Sequence, residues 1–178
     1  CLAARLNKAE GEYNSLKVIA KDVDAFVVIG NRFHALGAAL SVENPVYLLD
    51  VYNNEIMEMS QLREKIIKQR FAAIEKAKEA KKVGVIIGMK PGQKFGSFKI
   101  IKEKFEKVGK EVVIITMNEI NNDKLTNFND INAFVELACP RIAIEDYGKY
   151  DKTLITFREA LVVLGEMKWE DLLENGFI

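Results

Sequence analysis

The chain is sparing with the residues that most often announce chemistry. Its 178 residues include two cysteines, one histidine, one tryptophan and three prolines. Cys1 and Cys139 stand far apart and build no disulfide framework; in a reducing compartment such thiols serve as buried packing, metal ligands or catalysts. No C-x-x-C spacing occurs and His34 is the sole histidine, so a closed zinc site is not encoded and any metal centre needs a ligand from elsewhere. Net charge is absent too, with 26 basic residues against 26 acidic ones. That balance gives no nucleic-acid footprint and no attraction to an anionic membrane. No apolar run approaches the ~20 residues of a membrane span, and no basic-then-apolar leader is present. The expectation is a cytoplasmic protein with no nucleic-acid and no membrane partner. Neither a G-x-x-x-x-G-K-[ST] nor a G-x-G-x-x-G loop occurs. An initiator methionine is also lacking, since the chain opens "CLAARL", which points to a piece of a longer protein whose site is completed by upstream residues.

What is present is an apolar content of 49%, enough for a core, arranged in short runs. "AFVVIG" (25–30), "PVYLLD" (45–50), "VGVIIG" (83–88), "EVVIIT" (111–116) and "AFVELA" (133–138) are rich in Val, Ile and Phe without polar alternation, the pattern of strands covered on both faces. Between them lie helical periodicities. Ile67, Phe71, Ile74 and Ala77 recur at steps of three and four within 60–82, as do Phe98, Ile101, Phe105 and Val108 within 97–108. "TFRE" (156–159) is a capping-box pattern, and "WEDLLENG" suits a last short helix. Strands alternating with helices predict an α/β fold with parallel sheets. "DVDAFVVIG" (22–30) and "DINAFVELA" (130–138) share one pattern at an offset of 108 residues, which predicts two related α/β units, 1–82 and 83–178. The repeat aligns two strand exits, "GNRFHALG" and "CPRIAIED", and ligands of parallel α/β sheets bind beyond such carboxyl ends.

Local chemistry marks a few side chains. Cys139 follows a strand and precedes Pro140, whose missing N–H ends strand pairing. Its thiol is either a small buried packing group or a reactive one, and Arg141 close behind it would favour a thiolate or bind a carboxylate. His34, at the other exit, is either structural or part of the same cavity. "GMKPGQKFG" (88–96), with Gly92 and Gln93 near its centre, suits close backbone approach to a ligand and equally suits a plain turn. Glu145 and Asp146 pair two carboxylates, which without a partner are simply solvated.

Taken together, "KPGQ" (90–93), "LTNFNDINAFV" (125–135), "ACPRIAIED" (138–146) and "LITFREAL" (154–161) resemble the C-terminal domain of the archaeal diphthamide-biosynthesis enzyme, the 2-(3-amino-3-carboxypropyl)histidine synthase. "GNRFHALG" followed by "PVYLLDVY" is similar to its middle domain. The likeness runs the length of the chain and corresponds to two of that family's three α/β domains. It implies a 4Fe–4S cluster held by one cysteine from each domain, with Cys139 matching the C-terminal ligand through "ACPR" and Cys1 the middle one. The first domain's cysteine has no counterpart, so the resemblance implies that this stretch alone is inactive. Two departures, "DVY" at 50–52 and Thr153, touch neither cysteine. The implied reaction is a radical transfer of the 3-amino-3-carboxypropyl group from S-adenosylmethionine to a histidine of translation elongation factor 2. It needs an electron donor, and the family suggests a homodimer. Arg141, Gln93, Gly92, His34 and Asp146 are then candidate contacts to S-adenosylmethionine. Two other readings stand beside it: a non-catalytic cluster-holding partner subunit, and a metal-free metabolite-binding α/β module.

Overall fold

A computed structural model describes residues 13–90 and 96–177. The chain divides into two compact units, one running up to Ile67 and resuming at Glu170, the other from Lys68 to Trp169. The first unit contains α1 (Tyr13–Ile19), β1 (Phe26–Ile29), α2 (Arg32–Ala39), β2 (Val46–Asp50) and β3 (Glu55–Glu58). β1 and β2 are parallel, while β3 folds back antiparallel on β2. The hairpin turn is set by Asp50, whose Oδ1 accepts the Tyr52 and Asn53 N–H groups at 3.0 and 3.1 Å. Asn54 then adopts φ 54°, a left-handed conformation that asparagine tolerates better than most residues.

The division falls inside α3 (Ser60–Glu79), earlier than the 82/83 boundary read from the sequence. The helix changes allegiance because its later turns carry Ala73 and Ala77 into the second unit's core. That unit continues with β4 (Lys82–Gly88), α4 (Phe98–Lys107), β5 (Glu111–Met117), α5 (Asn122–Thr126), β6 (Ala133–Glu136), α6 (Pro140–Ile144), β7 (Thr153–Ile155) and α7 (Phe157–Val163). Its sheet runs β5-β4-β6-β7, and every neighbouring pair is parallel. The α/β architecture with parallel sheets is therefore present as expected. The last helix, α8 (Trp169–Asn175), begins at the division and belongs mostly to the first unit.

One face of the larger sheet packs Val83, Val85, Ala133 and Val135 against Ile101 and Phe105 of α4 and Ala73 and Ala77 of α3. The other gathers Ile86, Ile115 and Phe134 with Leu125, Ala143 and Leu154. Gly84 is required between them: a Cβ there would meet the Phe134 ring at 2.4 Å.

The repeat extends well beyond the matching letters. Phe26 pairs with Val46 as Phe134 pairs with Leu154, so both parallel pairs keep the same 108-residue offset. The helices between them begin at Arg32 and Pro140, at that offset again. Asn31 and Cys139 thus occupy equivalent positions, each the N-cap of the helix that leaves a strand.

One reading of α3 is corrected. Its buried stripe runs through Ile66, Arg70, Ala73, Ile74 and Ala77, whereas Phe71 is 48% exposed and meets Trp169 edge-on at 5.2 Å. Arg70, a charged residue within this stripe, is completely buried. Its Nε and Nη2 donate to the two carboxylate oxygens of Glu159, and Nη1 and Nη2 donate to the carbonyls of Ala143 and Leu154, all at 2.6 Å. Tyr147 covers the guanidinium, its ring centroid 5.2 Å away. Glu159 Oε2 also accepts the Thr156 N–H at 2.7 Å, completing the capping box of α7 that the sequence signals. One carboxylate thus serves a buried cation and a helix end.

Breaking a buried pair leaves an uncompensated charge. Arg70→Met is expected to cost about 3–5 kcal/mol in urea unfolding, and Arg70→Met with Glu159→Gln to cost less than the two single losses added.

Candidate functional site

All four strands of the larger sheet present their carboxyl ends on one edge because all are parallel. The chain leaves β4 for β5 on one side and returns to β6 on the other, so the order of the sheet reverses between β4 and β6. Such a switch point opens a crevice at the carboxyl edge. The Leu137 N–H bonds the Ile86 carbonyl at 2.9 Å, after which the β6 segment runs into Cys139. From β4 emerges the Gly-rich segment. It re-enters the described chain at Gly96, where φ is +85° and a Cβ would lie 2.2 Å from the Phe157 ring. Gly96 is therefore fixed both by conformation and by its seat on the first residue of α7. An open groove of about 430 Å3, lined by Thr116, Asn118, Lys124 and Phe128 among others, lies at the carboxyl end of the edge strand β5.

Cys139 is half-buried and free. Burial pushes its thiol up, the Arg141 backbone N–H pulls it down, and the nearby Glu136 pushes it up again. Arg141 acts toward the thiolate, as expected, through its backbone N–H more than through its charge, but burial outweighs it. Arg141 is instead occupied with carboxylates, its Nε 2.8 Å from Glu145 and 3.8 Å from Asp146. Asp146 also binds Lys149 at 2.6 Å, and its N–H donates to the Arg141 carbonyl at 3.0 Å. Cys139, Arg141 and Asp146 are thus gathered on one strand exit and the short helix it enters. The two acids are paired with cations rather than simply solvated.

His34 lies in the first unit, on α2, with its backbone N–H donated to Asn31 Oδ1 at 3.1 Å and its ring beside Phe33. The segment "GNRFHALG" is a helix with its cap, and Leu36 through Ala39 are buried. Cys1, Gly92 and Gln93 lie outside the described residues. Among the described residues no three His, Cys, Asp or Glu side chains come together as a metal site.

The sequence reading passed over Glu136. It ends β6 at 1% exposure, and its Oε2 accepts the N–H groups of Ala138 and Cys139 at 3.1 and 2.9 Å. Oε1 is buried without a partner. Burial pushes the carboxyl from its ordinary 4.5 up to about 8, with the two N–H donors pulling the other way. One signal was legible: Glu136 is the single charge in "AFVELA", and it replaces Val28 of the repeat's first copy.

A family model described as "Putative diphthamide synthesis protein" matches residues 4–173. The 2-(3-amino-3-carboxypropyl)histidine synthase of Pyrococcus horikoshii is 36% identical over 145 residues, which are 79% of this chain and 42% of that protein. Subunit 1 of the enzyme of the same name from Kluyveromyces lactis is 34% identical over 92% of this chain and 37% of its own length. Among solved structures, the crystal structure of Dph2 from Pyrococcus horikoshii with a 4Fe–4S cluster superposes with a TM-score of 0.69 at 33% identity, over 82% of this chain and 42% of that one. The chain thus spans about two fifths of the length of these relatives.

The raised acid constant of Glu136 has a definite sign in stability. Between pH 4.5 and about 8 the folded protein holds a proton there that the unfolded chain has released. Stability is therefore lost as pH rises through that window, by up to about 1.4 kcal/mol per unit. Urea unfolding from pH 5 to 9 is expected to show this loss in the wild type and not in Glu136→Gln, the other titrations cancelling in the difference.

Proposed function

The chain belongs to the diphthamide synthesis protein family, and on that premise we propose that it forms part of a 3-amino-3-carboxypropyl transferase in which Cys139 ligates a 4Fe–4S cluster. The observation that carries this reading is the place of Cys139: the lone thiol among the described residues stands at a strand exit beside the sheet's switch point. Its chemistry suits the group. The thiol is a soft donor, half-buried above an apolar sheet, and takes a hydrogen bond from the Arg141 amide of the kind that tunes iron-bound thiolates. Cys1 supplies a second thiolate, and a third comes from beyond this chain. When bound, the cluster supplies the electron that opens the sulfonium of S-adenosylmethionine, the transferable group being its 3-amino-3-carboxypropyl arm.

The chain's own residues bind and orient. Arg141, held by Glu145 and Asp146, offers a guanidinium for the carboxylate of the methionine half. Gly92 and Gln93, which follow β4 in the sequence, are the candidate partners of the amine, and His34 is a further candidate contact. The acceptor is a histidine side chain of translation elongation factor 2, and the working assembly is a cytoplasmic homodimer served by an electron donor.

In the full-length protein under anaerobic conditions, Cys139→Ala is expected to abolish both the iron–sulfide absorption and the release of methylthioadenosine. Normal iron content in that variant would overturn the assignment. Iron without any transfer in the wild type would move the reading to a cluster-holding partner subunit, an arrangement that the word "subunit" in the yeast relative's name keeps in view.

A further inference from the structure

The end of β6 poses a problem in hydrogen bonding. Leu137 is the last residue of this segment whose N–H finds a carbonyl across the sheet. Ala138 and Cys139 follow, the first buried and the second half-buried, and Pro140 then has no N–H to satisfy. Two amides in a row therefore leave the ladder in a place water does not reach freely, where an unpaired donor is costly. Both are accepted by a single atom, Glu136 Oε2.

The repeat shows what the alternative looks like. In the first copy Gly30 stands where Ala138 stands in the second, and its N–H reaches Leu49 of β2 at 3.4 Å. The residue equivalent to Leu49 in the second copy is Phe157, which already lies in α7 because β7 stops at Ile155. The ladder has ended one step too soon, and the side chain of Glu136 stands in for it. The first copy has Val28 at that position. There the N-cap Asn31 holds the helix through its side-chain oxygen, whereas in the second copy the N-cap is Cys139, which offers the helix only a sulfur, beside the Arg141 amide. Holding the turn from upstream frees the cap position to carry sulfur.

The carboxyl is kept despite its cost. It is almost entirely buried, one of its oxygens has no partner, and burial pushes it strongly toward the neutral form. An apolar residue would suit this strand better, as Val28 does in the other copy. The retained function is the acceptor.

We propose that Glu136 is the positioning residue of Cys139: its carboxyl oxygen replaces the missing ladder carbonyl, fixes the backbone at the strand exit, and so aims the thiol into the switch-point crevice. Its effect on iron rests on the proposed cluster; its effect on the thiol does not.

Three readouts on the full-length protein separate these. In iron-free protein, residue-level hydrogen exchange is expected to find the Ala138 and Cys139 amides protected, and Glu136→Leu to speed their exchange about tenfold or more, the worth of a hydrogen bond to a carboxyl. The same variant is expected to raise the rate of Cys139 alkylation by iodoacetamide several-fold, and after anaerobic reconstitution to hold less iron. Glu136→Gln keeps an acceptor oxygen in the same place and is expected to restore all three. A folded Glu136→Leu with unchanged exchange and alkylation would overturn the proposal, as would a Glu136→Gln as impaired as the leucine variant. Should the leucine variant not fold, the wild type decides, because unprotected Ala138 and Cys139 amides contradict the proposal outright. Altered exchange and alkylation in Glu136→Leu, together with a wild type that never binds iron, would uphold the positioning role and overturn the cluster.

Discussion

A single buried guanidinium holds the second unit's functional edge together. Arg70 reaches from α3 to α6, β7 and α7 through four hydrogen bonds of 2.6 Å, and none of its surface or that of Glu159 meets solvent. Burying a charge is tolerable only when its partner and its remaining donors are fully satisfied. Here they are, and the elements satisfying them are the ones that follow Cys139 in the chain. The Ala143 carbonyl belongs to the last turn of the helix that Cys139 caps, a group left without an intrahelical partner. The Leu154 carbonyl belongs to the short edge strand, and Glu159 to the helix on whose first residue Gly96 sits. One side chain thereby fixes the surroundings of both segments that flank the switch point.

The two buried acids divide the labour. Glu159 pairs with Arg70 within a closed network, while Glu136 is pushed toward neutrality by burial, with nearby Glu159 adding to the push. The first anchors helices; the second anchors the strand exit. Duplication explains why this exit needs more support than its counterpart. The first copy has a longer second strand, an asparagine cap and an apolar residue at the place of Glu136, and its strand exit keeps a ladder bond from Gly30 to Leu49. The second copy gives up the asparagine for a cysteine and the last ladder bond for a carboxyl. These exchanges are the local signature of a turn rebuilt around a thiol.

Much of this could be read from the sequence, for reasons that differ by element. The five apolar strands declare themselves as runs of Val, Ile and Phe, and the capping box of α7 because its spacing is strict; the expected cover on both faces holds for β4 and β6, whereas β1 leaves Val27 and Ile29 exposed. The repeat was visible in six residues, and the structure extends it to a strand, a helix and a parallel strand in constant register. What stayed hidden is either short or long-range. β7 has three residues and α6 five, too few for any periodicity to register. β3 depends on a turn built by Asp50 and Asn54 rather than by glycine. In α3 the apolar spacing through Phe71 was followed while the true stripe ran through Arg70, because a buried arginine is legible only with its distant partner Glu159. Glu136 was missed for the opposite reason: its partners are its immediate neighbours, and one charge in an apolar run was read as strand.

The proposed role of Cys139 requires its thiol to face iron. X-ray data collected from crystals of the full-length, anaerobically prepared protein on either side of the iron absorption edge test this directly. The account expects an anomalous iron peak within bonding distance of Cys139 Sγ, at the carboxyl edge between β4 and β6. Iron located elsewhere in the protein, with Cys139 Sγ packed against side chains alone, would contradict it.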